Sequence, residues 1–365
     1  MKIAIDCRMY GNEKFTGIGT YVQRLTNELF KLDAKNEYIL FMTEPEFSKF
    51  SAPTDRVRKI RVNSPHYSYA EQFKLPFEFA KEKFDLIHYP HFNSPILYPK
   101  KSICTIHDIT PLFFPGHKMK SIVRRLAYRL VFKATLSKAR KVITISQSTK
   151  RDLVKYLRVN PKKIEVIYEG VDERFKPIEN SDIIKGTKPF IFFVGVWRGH
   201  KNIESLVRAF NILKEKYKIP HQLVIGGRAD LHYTKIQETI DQSAFKNDIV
   251  TPGYISDSDL PILYNTADVF CLPSFIEGFG LIAIEAQACG CPVVSTNTTS
   301  MPEILGDSAE FFDPTNVEQI AEQLYKVLSN ADLRKKLIEK GFENVKRFSW
   351  KKCAEQTLAA YKSIK

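Results

Sequence analysis

Residues 271–292, CLPSFIEGFGLIAIEAQACGCP, constrain this chain more than any other stretch. The apolar run 267–272 has strand length and stops at Pro273-Ser274. Gly278 and Gly280 then bracket Phe279, and from Leu281 the spacing of Leu281, Ile282, Ile284 and Ala288 suits a helix with an apolar face. A strand, a glycine turn and a helix leave unpaired backbone N–H groups and partial positive charge at the helix start, which favours a phosphate. Two carboxylates frame that point, Glu277 before the turn and Glu285 one helical turn inside. A carboxylate beside bound phosphate needs another partner, and sugar hydroxyls would serve. A nucleotide-sugar supplies both groups.

Glu277 and Glu285, with seven residues between them in EGFGLIAIE, resemble the E-x7-E motif of retaining glycosyltransferases of the GT-B fold, in their large fourth family (group 1). A solvated charge at a helix end would explain either Glu alone. The pair, its two glycines and the GCPVVST strand that follows favour the functional reading. The resemblance implies two Rossmann-like domains facing each other across a cleft, with a C-terminal helix crossing back. It also implies that Glu277 meets the hexose hydroxyls, Glu285 those of the ribose, and the backbone of Gly278, Phe279, Gly280 and Leu281 the diphosphate.

At 365 residues the chain exceeds what one core serves, so two domains are expected. No stretch reaches the roughly 18 uninterrupted apolar residues of a membrane span, and MKIAIDCRMYG lacks the apolar core of a signal peptide. The six cysteines, most in or beside apolar strands, read as buried hydrophobes of a reducing cytosol; Cys289-Gly-Cys291 has no His or Cys partners to suggest zinc. The net charge of +14 is uneven: residues 1–177 hold 33 Lys+Arg against 18 Asp+Glu, and residues 178–365 hold 22 against 23. An anionic partner is therefore expected at the first half, such as a membrane surface or a lipid-diphosphate acceptor. A nucleic acid would also suit the charge, but no nucleic-acid motif or basic–aromatic stacking pattern accompanies it.

In the first half, strands are expected at 2–7, 37–42, 57–62, 85–89, 102–106, 141–145 and 164–168, with helices between several of them. This alternation implies a mostly parallel α/β sheet, whose ligands gather at the carboxyl ends of its strands. A loop at 16–20 carries Gly17 and Gly19, followed by a helix from about 21 to 31. In the family such a loop passes close to the donor phosphate and the acceptor. His107 ends a buried strand in SICTIHDIT, and the resemblance brings it to the hydroxyls of the transferred sugar; Asp108 either orients the imidazole or caps the turn. Ser146 or Ser148 suits a helix cap. Residues 116–141 hold nine Lys/Arg and no Asp/Glu, with Ile122, Val123, Leu126, Ala127, Leu130 and Val131 at helical spacing. The apolar stripe is expected to pack on the sheet, and the basic face to attract anionic lipid.

A hinge is expected at 168–177 and a linker at 179–188, dividing the chain into 1–177, 178–347 and a terminal helix in 348–365. Second-domain strands are expected at 190–195, 222–226, 249–250, 269–272, 292–295 and 309–312. Arg198 and Lys201 follow the first of these strands, where fixed cations complement a diphosphate and stabilise a departing nucleotide. Val196 stands where many family members have an Arg, so Arg198 or Arg228 is the second cation. The turn with Ile255 resembles the family's base-binding turn, and Glu303 its structural final loop. Asp257-Ser258-Asp259 resembles a metal-binding D-x-D, but Ser256 and Asp259 suit a capping box, so no metal is expected.

The reading is a hexosyltransferase without a metal cofactor. Its donor is a GDP- or UDP-linked sugar, mannose by first resemblance, and its acceptor a glycan or lipid-linked hydroxyl. The leaving phosphate takes the acceptor's proton. Cytoplasmic residence with peripheral membrane contact is expected. An epimerase acting on the donor alone would share the same residues, and a non-catalytic nucleic-acid binder is the rival outside catalysis.

Overall fold

The computed structural model describes residues 1–11, 16–116, 121–178, 188–230 and 232–364, so all but Lys188 of the expected linker lies outside the described residues. The chain divides into two compact units. The first comprises Met1–Pro111, Pro115–Gly170 and Ser349–Lys365; the second comprises Leu112–Phe114 and Val171–Phe348.

In the first unit the strands are β1 (Lys2–Asp6), β2 (Glu37–Met42), β3 (Val57–Arg61), β4 (Leu86–Tyr89), β5 (Ser102–Ile106), β6 (Lys141–Thr144) and β7 (Ile164–Val166). They form one parallel sheet in the order β3-β2-β1-β4-β5-β6-β7. Its helices are α1 (Thr16–Leu32), α2 (Glu46–Lys49), α3 (Tyr69–Phe73), α4 (Leu75–Ala80), α6 (Ile122–Lys138) and α7 (Gln147–Leu157), while the short α5 (Thr110–Phe113) is divided, its Leu112 and Phe113 counting with the second unit. β4 and β5 are buried along their whole lengths, as a parallel sheet covered on both faces requires.

The second unit has β8 (Phe190–Val194), β9 (Gln222–Gly226), β10 (Ile249–Gly253), β11 (Val269–Leu272), β12 (Val293–Thr296) and β13 (Ala309–Phe312), all parallel in the order β10-β9-β8-β11-β12-β13. Its helices are α8 (Ile203–Lys216), α9 (Thr234–Asp241), α10 (Asp259–Thr266), α11 (Leu281–Ala288), α12 (Met301–Leu305), α13 (Val317–Ser329) and α14 (Ala331–Val345). In each sheet the strand order reverses once, between β1 and β4 and between β8 and β11. The loops beyond those paired strand ends part to opposite sides and leave a crevice, where open α/β sheets bind ligands.

Three expectations need correction. Residues 16–20 form the start of α1 rather than a loop. Gly19 is there because a Cβ would lie 1.9 Å from the Gly11 carbonyl oxygen, whereas a Cβ on Gly17 meets nothing. On α6 only Phe132, Thr135 and Leu136 are buried; Ile122, Val123, Leu126 and Leu130 are exposed. Only the C-terminal turns of α6 are covered, so its apolar stripe does not pack on the sheet. The chain changes unit after Gly170, ahead of residue 177, because Phe175 is already buried against Tyr264 of the second unit, ring centroids 5.9 Å apart.

The last helix, α15 (Trp350–Lys362), belongs to the first unit and lies on α1. Ser349 caps it, accepting from the Lys352 N–H, and Trp350, Cys353, Thr357 and Tyr361 bury one face. A buried polar chain ties it to the sheet: the Tyr361 hydroxyl lies 2.7 Å from His88 Nδ1, His88 Nε2 lies 2.8 Å from Thr105 Oγ1, and Thr105 meets the Tyr21 hydroxyl at 3.1 Å. Burial, reinforced by nearby His107, pushes the His88 ring down to about 3, so it stays neutral. The chain leaves the first unit where it later returns: a Cβ on Gly170 would lie 2.0 Å from the Trp350 backbone nitrogen. Gly170→Ala is expected to destabilise the first unit by about 1–3 kcal/mol through overpacking, read by calorimetry as a lower melting temperature. Gly116→Ala, where a Cβ meets nothing, should leave it unchanged.

Candidate active site

In the second unit the crevice beyond β8 and β11 gathers most of the residues expected from the sequence. A short turn, Gly199–Lys201, follows β8 and is locked by Asn202, whose left-handed φ of 54° an Asn tolerates. The Asn202 amide donates to the carbonyls of Pro273 at 3.0 Å and Pro314 at 2.8 Å. The Phe275 N–H donates to the His200 carbonyl at 2.8 Å, so the loops after β8 and β11 are tied side by side. Across this join Lys201 Nζ lies 2.7 Å from Glu277 Oε1, with only 16% and 11% of the two side chains exposed. Burial alone would raise the Glu277 carboxyl, but Lys201 holds it below its usual range, and it stays ionised. Burial pushes His200 down to about 4, and Lys201 adds to the effect. The backbone around Glu277 is pinned as well: its N–H donates to Thr299 Oγ1 at 3.1 Å, and Ser300 Oγ donates to its carbonyl at 2.9 Å.

Gly278, Phe279 and Gly280 lead from Glu277 into α11 and are buried, while Leu281 at its first position is half-buried. Gly280 has φ of 80°, which favours glycine, and no side chain caps α11. The Ala283 N–H donates to the Gly280 carbonyl at 2.9 Å, which leaves the N–H groups of Leu281 and Ile282 to face a ligand, with Lys201 paired to Glu277 just before them. Glu285 lies one turn further, buried, with the Tyr264 hydroxyl 3.4 Å away. Burial raises its carboxyl to about 8, against the pull of Arg174 and the Tyr264 hydroxyl.

Arg198 is half-exposed and its Nε lies 3.5 Å from Asp230 Oδ2, while the Arg228 guanidinium lies over the Tyr254 ring at 4.8 Å. Ile255 is buried, its Cδ1 filling the space that a Cβ on Gly226 would take. Asp257 pairs with Arg174 at 2.9 Å, and Asp259 accepts from the Ser256 hydroxyl at 2.6 Å while its own N–H reaches Ser256 Oγ at 3.2 Å. Of the nominal D-x-D, Asp257 is therefore engaged in an ion pair and Asp259 in a helix start. Glu303 lies in the first turn of α12, its carbonyl accepting from Arg347.

In the first unit His107 directly follows β5, with its ring edge-on to Tyr21 at 4.7 Å. Its Nε2 donates to the Pro90 carbonyl at 2.9 Å, and its Nδ1 lies 3.3 Å from Glu169 Oε1. The Pro90 carbonyl therefore fixes the ring, and Glu169 stands beside its other nitrogen, a neighbour the sequence does not reveal across such a separation. Asp108 instead accepts from the Thr110 N–H at 2.7 Å and makes a turn. Ser146 caps α7, accepting from the Thr149 N–H. At this unit's own strand-order reversal, Asp6, Met9, His66, His91 and Asn93, among others, line a small hollow with room for about one water molecule. Arg8 stands between Asp6 and Glu71, 2.7 Å from each, and against burial it helps hold both carboxyls below their usual range.

The Glu285 shift predicts a pH dependence. The unfolded chain loses this proton near 4.5, whereas the folded chain keeps it to about 8. Between those values the folded state binds more protons, so ligand-free stability falls as pH rises, by up to about 1.4 kcal/mol per pH unit from this group. Glu285→Gln should flatten that part of the melting-temperature profile from pH 5 to 8. An unchanged slope would mean that Glu285 ionises normally.

Residues 15–175 match the family described as Glycosyltransferase Family 4, and residues 175–344 match that described as Glycosyl transferases group 1. O-antigen chain mannosyltransferase B of Escherichia coli is 28% identical over 286 residues, covering 76% of this chain and 74% of that protein. Serotype-specific mannosyltransferase WbdA of Escherichia coli is 26% identical over 275 residues, covering 72% of this chain but 33% of that protein, so the match spans about a third of that relative's length. Among solved structures, sucrose-phosphate synthase from Thermosynechococcus elongatus superposes with a TM-score of 0.81 at 22% identity, covering 100% of this chain and 99% of that one. With two parallel-sheet units, a helix returning to the first, and matches to both family models, the chain is a glycosyltransferase of the GT-B fold, transferring a sugar from a nucleotide-sugar donor to an acceptor.

Proposed function

We propose that the chain is a retaining mannosyltransferase, which takes mannose from a guanosine-diphosphate donor and adds it to a hydroxyl of a glycan or lipid-linked acceptor. The observation that carries the donor site is the 2.7 Å pair of Lys201 and Glu277 at the uncapped start of α11, with Glu285 one turn inside. An ammonium has three donors, so Lys201 can hold Glu277 and a phosphate oxygen together. The α11 N–H groups take the remaining diphosphate charge, and Arg198 swings from Asp230 to assist. Glu277, kept ionised, accepts from the hexose hydroxyls, and Glu285 from the ribose diol. Ile255 flanks the base. His107, its ring fixed by the Pro90 carbonyl, serves the transferred sugar. The bond from the anomeric carbon to the leaving diphosphate breaks as the acceptor oxygen bonds to the same face, and its proton passes to a leaving phosphate oxygen. Mannose is supported by the names of the two mannosyltransferases reported above.

A thermal-shift panel tests the donor. GDP and GDP-mannose should raise the melting temperature more than UDP and UDP-glucose, and the reverse order would move the assignment to uridine. Glu277→Gln, which keeps a hydrogen bond to Lys201, should lower turnover by about two to three orders of magnitude while diphosphate still binds. Near-normal turnover would remove Glu277 from the site. Ribose hydroxyls donating to Glu285 would favour its ionised form, so nucleotide binding near neutral pH should release a proton. That release is read as a binding heat that depends on the buffer's ionisation enthalpy, and Glu285→Gln should abolish the dependence.

A further inference from the structure

Going beyond the transfer reaction, we propose that the first unit docks on an anionic lipid bilayer through α6 and the neighbouring helices α3 and α4. On α6, Ile122, Val123, Leu126 and Leu130 are 72%, 73%, 60% and 58% exposed. Ile122, Leu126 and Leu130 recur every four residues and form one stripe along the helix. Arg125, Arg129 and Lys133 occupy the adjacent row, also exposed, and the sequence from 116 to 141 has no acidic residue. An apolar stripe edged by cations, on a helix whose other end is anchored in the unit, is how a helix lies in the plane of a bilayer surface.

The stripe does not stand alone. Tyr69, Phe73, Phe77 and Leu97 are also more than half exposed. Residues 91–98 join their helices to α6. The Phe92 ring contacts Tyr128 and Phe132 at 4.9 Å and Tyr67 at 6.1 Å. Gln72 of α3 donates to the Ser94 carbonyl at 3.1 Å, and Ser94 Oγ meets Thr135 Oγ1 of α6 at 2.7 Å. The acids of α3 and α4 are engaged away from this aromatic surface: Glu71 with Arg8, and Glu78 with Ser64 at 3.0 Å. Lys74 is exposed among the aromatic residues. Aromatic and aliphatic groups set among cations, with the nearby carboxylates occupied, match the headgroup region of an anionic membrane.

Flotation of the full chain with phosphatidylcholine vesicles, with and without phosphatidylglycerol, at low and high salt tests this. Binding is expected to anionic vesicles at low salt and to weaken as salt rises. Leu126→Glu/Leu130→Glu and Arg129→Glu/Lys133→Glu should each lower the partition coefficient by about tenfold or more. Both should leave the melting temperature and its shift with nucleoside diphosphate unchanged; if the Glu pair unfolds the chain, Leu126→Gln/Leu130→Gln takes its place. The proposal fails if anionic vesicles bind no chain at low salt, if neutral vesicles bind equally, or if the variants bind like the parent. It also fails if the parent is a dimer that the Leu126 and Leu130 variants split while vesicles bind neither form, because a second copy then covers the face.

Discussion

The join between the loop after β8 and the loop after β11 is the constraint on which the second unit's chemistry depends. Parallel strands leave their carboxyl ends on one side, and reversal of strand order at β8 and β11 parts the connections there. A parted pair of loops would be floppy without cross-ties. Here the Asn202 amide, the Phe275 N–H and the Lys201–Glu277 pair stitch one loop to the other. Each group is buried or nearly so, and removing one partner would leave the other unsatisfied, at about 1–3 kcal/mol. The same ties that steady the loops hold a cation, a carboxylate and an uncapped helix start within reach of one ligand.

The first unit is closed by a different device. Its helix α15 is separated from the rest of the unit by the whole of 171–348, yet returns to lie on α1. The return is fixed by the close crossing of Gly170 and Trp350 and by the buried relay from Tyr361 through His88 and Thr105 to Tyr21. A neutral His88 satisfies both neighbours with one donor and one acceptor nitrogen, which an apolar replacement would not. Tyr21 also faces His107, so the helix that closes the unit adjoins the residue assigned to the sugar.

Strand positions were legible in the sequence because buried parallel strands are nearly continuous apolar runs, and 37–42, 102–106, 222–226, 269–272 and 309–312 match in full. The EGFG turn before α11 was legible because its glycines and its apolar helix are adjacent in sequence. What escaped depends on distance. Glu169 reaches His107 from another strand end, and the direct pairing of Lys201 with Glu277 spans 76 positions. Gly17 and Gly19 suggested a loop because glycine is a poor helix former, yet Gly19 sits in α1 where only a hydrogen fits beneath the Gly11 carbonyl. The stripe on α6 has the spacing of a core helix, and periodicity cannot tell whether the surface it meets is a sheet or something outside the chain.

The central claim is that Lys201 serves a phosphate while holding Glu277. Titration calorimetry of a nucleoside diphosphate and of its nucleoside, on the parent chain and on Lys201→Gln, tests it most directly. Glutamine keeps a hydrogen bond to Glu277 and removes the charge. The account predicts that diphosphate affinity falls by about tenfold or more while nucleoside affinity is unchanged, since a charge-assisted hydrogen bond contributes about 1.5–3 kcal/mol. Equal losses for both ligands, or none for either, would contradict it.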